Sequence, residues 1–256
     1  MSTLSSPATP SLSPEQQVRI DLAACYRLVA MYGWDDLVFT HISARVPGPE
    51  HHFLINPYGM LFEEITASSL VKVDLSGQVI GTSMYPVNPA GFTIHSAIHE
   101  VREDAHCVMH LHTLDGTAVA SSREGLVALN QTSQLVVDDL VYHDYEGVAL
   151  DHAERPRLQQ DLGQHNTLLL RNHGTLTVGR SCAEAFLRMY FLERACSMQV
   201  RTRAIAPIGQ DYPTAPDVIA KNAALTKATN MTEMANRLVW PGLLRKLDRV
   251  SPGYRD

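Results

Sequence analysis

The segment Cys107-Val-Met-His-Leu-His112 constrains this chain more than any other. Its apolar make-up reads as a buried strand, and in a strand residues i and i+2 point to the same face. His110 and His112 therefore project together while Leu111 turns into the core. Such a pair suits two ligands on one metal ion, although the spacing alone is also met by chance on a protein surface. A third ligand is offered by Leu168-Leu-Leu-Arg-Asn-His173-Gly174, where an apolar strand ends at a His followed by a Gly. The Gly is expected to let the backbone turn sharply and leave the ring at the sheet edge. Three neutral imidazoles with the fourth position left to water is how an open, catalytic zinc site is built.

The rest of the chain supplies a fold to carry that strand. Residues 1–13 are small, polar and Pro-containing, and are expected to form a disordered tail. Ser13-Pro14-Glu15 then reads as a helix start, and the spacing Val18, Leu22, Cys25, Leu28, Val29 carries the helix to about Gly33. Strands are expected over 37–46 and 52–55, a short hairpin from Val71, and strands at 107–112, 167–170 and 175–178. Helices are expected over 91–101, 113–121, 152–163 and 183–200. Strands and helices interleave without a regular βαβ rhythm, so a mixed sheet covered by helices fits better than a doubly wound parallel one. We read one domain over 14–206 and a helical C-terminal extension over 207–256, packed on that domain or on a neighbouring subunit.

Composition narrows the setting. The net charge is −6 with no basic run, which argues against nucleic acid or an anionic membrane surface as partner. No stretch approaches 18 consecutive apolar residues, and the N-terminus lacks a charged segment followed by an apolar block, so neither a membrane span nor an export signal is expected. Cys25, Cys107, Cys182 and Cys196 lack CxxC spacing and read as buried thiols, in keeping with a reducing cytoplasm.

Five segments in order resemble the class II aldolase/adducin family, and a sixth resembles its adducin branch. Val108-Met-His-Leu-His-Thr113 and Leu169-Leu-Arg-Asn-His-Gly174 are similar to its two metal-binding signatures. Asp36-Leu-Val-Phe-Thr-His-Ile-Ser-Ala-Arg45 resembles its early G-N-x-S-x-R segment, and Asn56-Pro-Tyr-Gly-Met60 its T-P-S-G turn. Ala90-Gly-Phe-Thr-Ile-His-Ser-Ala-Ile-His99 resembles the helix before the HxH strand, with Tyr142-His-Asp-Tyr-Glu-Gly147 closest to the adducin head domain. The resemblance implies an α/β/α three-layer sandwich around a mixed, largely antiparallel sheet, assembled as a homotetramer. It implies a divalent metal, commonly zinc (Mn2+, Fe2+ and Co2+ are alternatives), on His110, His112 and His173. It also places Tyr142 where family aldolases keep a catalytic tyrosine, with His143 beside it as a second proton carrier. Ser43, Asn56, Tyr58 and Gly59 fall where the family binds substrate.

The departures are as informative. The family's catalytic acid is replaced by Gly91, its Asn by His41, and its paired serines by Val87-Asn88-Pro89. A phosphorylated ketose is therefore a poor substrate, and a small non-phosphorylated hydroxy, oxo or aromatic acid is easier to place. The expected activity is a metal-dependent carbon–carbon lyase of aldolase or decarboxylase type. A non-catalytic adducin-like oligomeric scaffold is the alternative reading, and an epimerase or dehydratase on the same metal is a third. For 142–145 a plain subunit-interface loop is as good a reading as a catalytic one. His95 and His99, i and i+4 on one helix, could form a second metal site but read better as non-ligands, with His95 hydrogen-bonded to the sheet.

Overall fold

The opening Ser-Pro-Glu signal nucleates the first helix. Ser13 accepts from the Gln16 N–H and the Gln16 side chain answers to Ser13 N, while Gly33 closes the helix at φ +67°. In this computed structural model, residues 12–148 and 152–256 are described; residues 1–11 of the expected tail lie outside them. Helix α1 (Pro14–Tyr32) buries Leu22, Cys25, Tyr26, Leu28 and Val29 along one side.

Seven strands form one sheet: β1 (His41–Arg45), β2 (Phe53–Ile55), β3 (Val71–Val73), β4 (Cys107–Leu111), β5 (Leu140–His143), β6 (Thr167–Leu170) and β7 (Gly174–Gly179). Their order is β3-β2-β1-β4-β7-β6-β5, with every pair antiparallel except β5 with β6. The helices are α2 (Pro89–Val101), α3 (Leu114–Ala120), α4 (Gln131–Gln134), α5 (Arg155–Leu162), α6 (Cys182–Ile205) and α7 (Pro216–Ala228). A short α8 (Met231–Glu233) then runs through a π-helical stretch, Met234–Val239, into α9 (Trp240–Val250). This is an α/β fold with a mixed, largely antiparallel sheet.

Strand alternation sorts the core into two layers. Cys107, Met109 and Leu111 of β4 face a cluster with Tyr26, Leu28, Phe186 and Leu192 from α1 and α6. Val108, Leu168, Leu170, Leu176 and Val178 face the other way, onto Ile94, Ile98, Leu158 and Leu162 of α2 and α5. Each fully buried Leu or Phe contributes about 1.5–3 kcal/mol, so the sheet is clamped from both sides. His110 shares the α2 side. The C-terminal segment packs on this same chain: Trp240 Nε1 donates to Asp21 at 3.0 Å, its ring meets Phe186, and the Ala67 N–H donates to the Tyr254 carbonyl at 2.9 Å.

The strands differ from expectation in two places. The strand expected over 37–46 is shortened to β1, because Leu37 sits at φ +50° and it and Phe39 are exposed, so the apolar run there is a turn over a cavity rather than a core strand. The short hairpin expected from Val71 is present: Val73 bridges Val79, the Asp74 N–H donates to the Gln78 carbonyl at 3.0 Å and the Ile80 N–H to the Lys72 carbonyl at 2.8 Å. Strand β5 was not expected: its half-buried pattern lacks alternation, and only parallel pairing to β6 defines it. Among the described residues no helix is long and apolar enough to cross a membrane.

Candidate metal centre

The register of β4 brings the two expected strand histidines to one end of the sheet. His110 lies opposite Leu176 and Leu111 opposite Thr175 on β7, so the turn before β7 carries His173 back against them. The three ring centroids stand 4.7–5.0 Å apart, and one nitrogen from each lies within 4.8 Å of the others. Nitrogens on a tetrahedral zinc ion are about 3.4 Å apart, so small rotamer shifts close the set.

Outer contacts fix which nitrogen two of the rings offer. His110 Nδ1 donates to the Thr175 carbonyl at 3.0 Å and His112 Nδ1 to the Asp36 carboxylate at 2.9 Å. Both therefore present Nε2 inward, and His112 Nε2 is buried with no hydrogen-bond partner. An orphaned imidazole nitrogen backed by a carboxylate is the arrangement that orients a metal ligand. Burial, and then the neighbouring His173, hold His110 well below the ordinary histidine range; burial, and then His112, bring His173 down to about 4. Neutral rings with free lone pairs are the form that binds a metal.

Gly174 does its work differently from the expected turn. The left-handed residue is Asn172, at φ +54°. A Cβ on Gly174 would stand 2.5 Å from the Leu111 carbonyl oxygen and 3.0 Å from the His112 ring. Glycine is needed for close approach, which lets β7 press against the histidines.

The centre opens on a cavity of about 490 Å³ walled by Phe39, Ile94, Tyr58, Tyr145 and Val148, with no Lys or Arg lining it among the described residues. A cavity of similar size, about 510 Å³, lies beside α1 and β3, but its Arg19 and Lys72 are paired with Glu15. Of the expected substrate residues, Tyr58 lines the first cavity and Gly59, at φ +117°, turns the chain behind it. Asn56 is buried against the Tyr26 hydroxyl at 3.0 Å and does not line it. Ser43 is fully buried. Tyr142 accepts from the Leu126 N–H at 3.0 Å beneath the Arg171 guanidinium, and His143 is buried between Asp161 (2.7 Å) and Glu154 (3.2 Å); neither lines the cavity. Tyr145, two residues further on, does, with its ring 6.2 Å from that of His173.

What sequence reasoning missed is the use made of His41. It lines the cavity, and its ring centroid is 5.1 Å from that of His110. A Cβ on Gly91 would fall 2.6 Å from His41 Cδ2, so the imidazole and any side chain at 91 compete for one space. Behind His41 runs a buried chain: His41 Nδ1 to His95 Nε2 (2.8 Å), His95 Nδ1 to Ser43 Oγ (2.5 Å), Ser43 Oγ to His99 Nε2 (2.7 Å), and His99 Nδ1 to the Ala105 carbonyl (3.0 Å). A carbonyl only accepts, so His99 Nδ1 carries a proton. Burial keeps His41, His95 and His99 neutral, His99 at about 3. The direction then propagates: Ser43 donates to His99, His95 to Ser43, His41 to His95. His41 Nε2 is left unprotonated. The His at 41 and the Gly at 91 were each visible in the sequence, but that they share one space was not.

The model of the Class II Aldolase and Adducin N-terminal domain matches residues 20–200. The chain belongs to this family. A Caulobacter vibrioides protein that carries only a provisional class 2 aldolase name is 59% identical over 242 residues, 94% of this chain and 93% of that one. Mouse alpha-adducin is 45% identical over 195 residues, 75% of this chain, which spans only 26% of that protein. The solved L-fuculose 1-phosphate aldolase from Glaciozyma antarctica superposes with a TM-score of 0.82 at 28% identity, covering 97% of each chain.

Proposed function

We propose that this family member is a metal-dependent carbon–carbon lyase, of aldolase or decarboxylase type, acting on a small non-phosphorylated hydroxy, oxo or aromatic acid. The observation that carries the reading is the orphaned Nε2 of His112 in a three-histidine cluster opening on a cavity with apolar walls and no cationic side chain. The Nε2 atoms of His110, His112 and a nitrogen of His173 would hold the ion, zinc by the all-imidazole donor set with Mn2+, Fe2+ or Co2+ as alternatives, and when bound it supplies Lewis acidity to a substrate oxygen.

The protein's own groups do the rest. His41 holds its proton at Nδ1, toward His95, and offers a bare Nε2 to a substrate hydroxyl or carbon-bound proton. Its chain ends on a carbonyl that takes no proton, so the relay orients His41 rather than exporting a charge. Phe39, Ile94 and Val148 make the walls apolar, and the hydroxyls of Tyr58 and Tyr145 remain to orient a polar substrate. A phosphate would find no Lys or Arg on these walls. Tyr142 and His143, the expected catalytic pair, would act only from outside this chain's own cavity, as at a neighbouring subunit's site. We place the enzyme in the cytoplasm as a homotetramer, on family kinship and on its unbridged cysteines.

The kinship with alpha-adducin favours a second reading, a non-catalytic scaffold that keeps the fold. An epimerase or dehydratase would use the same centre. Solvent deuterium exchange into dihydroxyacetone and hydroxypyruvate, followed by NMR on the metal-supplied protein, separates these classes. Exchange lost in His173→Ala supports carbanion chemistry; no exchange into any 2-oxo or hydroxy compound, with metal bound, leaves the scaffold reading.

A further inference from the structure

The cavity over the histidine cluster holds more than the reacting part of a small acid needs. A three-carbon hydroxy acid has about six heavy atoms, and at roughly the 30 Å³ that a water takes in the liquid it fills about 180 Å³. The cavity offers about 490 Å³, so more than half of it is left over. What lines the remainder decides what fills it. Phe39, Tyr145 and Val148 border the cavity, yet they are 49%, 50% and 71% exposed. Apolar surface left open inside a cavity is stabilised by a ligand that displaces its water. Three of the wall residues, Phe39, Tyr58 and Tyr145, are aromatic, and ring-on-ring contacts add to area burial what an alkyl chain cannot.

Charge is as selective as shape. Among the described residues the one acidic or basic side chain on the lining, apart from the histidines, is Asp36, and its carboxylate is held by His112 Nδ1 at 2.9 Å. A second carboxylate on the ligand would meet one acid and no cation. The donors that are present are neutral. They are the hydroxyls of Tyr58 and Tyr145 and the Nδ2 of Asn88, whose Oδ1 accepts from the Ala90 N–H at 3.1 Å.

We infer that this cavity takes a 2-hydroxy or 2-oxo acid bearing one aryl ring, its single carboxylate toward the histidines and its ring among Phe39, Tyr145 and Val148. The inference rests on the lyase reading for the acid end, while the ring subsite is made by side chains that bind no metal. Phe39 and Val148 are then specificity-determining residues.

Phenyllactate, lactate and malate share one head and differ in carrying a ring, a hydrogen or a second carboxylate. Isothermal titration of the zinc-supplied full-length protein should give phenyllactate at least about tenfold tighter than lactate, with malate no tighter than lactate. Phe39→Ser and Val148→Ser, both at exposed positions, should each remove most of that advantage and leave lactate binding unchanged. Circular dichroism establishes that the variants are folded, and should one unfold, the other carries the test. Saturation-transfer NMR on the metal-free protein reads the phenyllactate ring protons directly. Should the protein take up no metal, the lyase reading fails, while saturation of the ring protons that is lost in Phe39→Ser still upholds the ring subsite. Equal affinity for phenyllactate and lactate, an advantage that survives both substitutions, or a ring that receives no saturation because a second copy fills the cavity would overturn the inference.

Discussion

Gly91→Ala tests whether His41 has taken over the space of a side chain at 91. Position 91 lies in the first turn of α2, where replacing Gly by Ala ordinarily stabilises a helix by up to about 1 kcal/mol. Here the added methyl would stand 2.6–3.0 Å from three atoms of the His41 ring. That ring cannot retreat freely, because its Nδ1 is bonded to His95 at 2.8 Å and its far side meets His110. Overpacking of this kind costs about 1–3 kcal/mol, so Gly91→Ala is expected to destabilise by about 1–2 kcal/mol net. In a His41→Ala background the clash is gone and the same substitution should become neutral or stabilising by up to about 1 kcal/mol. The coupling energy of the cycle is then about 1–3 kcal/mol. Urea unfolding of the four metal-free proteins, followed by circular dichroism, measures it. Additive effects, or a stabilising Gly91→Ala in the wild-type background, would refute the shared-space argument.

Other outcomes follow from the same structure. Burial, partly offset by the Thr113 hydroxyl, raises Glu193 to about 7. Its native form therefore binds the extra proton, and its stabilising contribution, at most about 3 kcal/mol, is lost as pH rises from about 4.5 through 7; Glu193→Gln should flatten that slope in chemical denaturation, and parallel profiles would count against it. Burial lowers His99 to about 3, with the opposite sign: stability is lost as pH falls from about 6.5 toward 3, and His99→Gln should soften the acid limb of the profile. Asp36→Ala, which frees His112 Nδ1, should weaken zinc binding about 10–100-fold in a competitive chelator titration while leaving the melting curve of the apoprotein nearly unchanged. Trp240→Ala should cost about 3–5 kcal/mol, since the indole is buried against Phe186 and bonded to Asp21; a loss below 1 kcal/mol would mean that α9 does not hold α1.

The histidine cluster was legible because strand geometry is local: i and i+2 suffice to put His110 and His112 together, and the apolar run before His173 places it at a strand end. Helix α1 was legible from its Ser-Pro start and Gly33 for the same reason. The relay was hidden because it needs three non-local facts at once. β1 must pair with β4 so that His41 lies opposite His110, α2 must lie across that face, and residue 91 must lack a side chain. Read along the chain, Gly91 is a missing acid; in the fold it is room for an imidazole. Ser43, assigned to substrate from its motif, is instead the buried link between His95 and His99. Strand β5 escaped notice because a half-buried edge carries no alternation, and Tyr145 because nothing local distinguishes it from Tyr142.

The most direct measurement is the metal content of the purified protein and of its His110→Ala and His173→Ala variants by elemental analysis after dialysis. The account predicts about one zinc or similar divalent ion per chain in the wild type, lost in both variants while circular dichroism stays unchanged. A wild-type protein that binds no ion when supplied with zinc, manganese, iron or cobalt would contradict it.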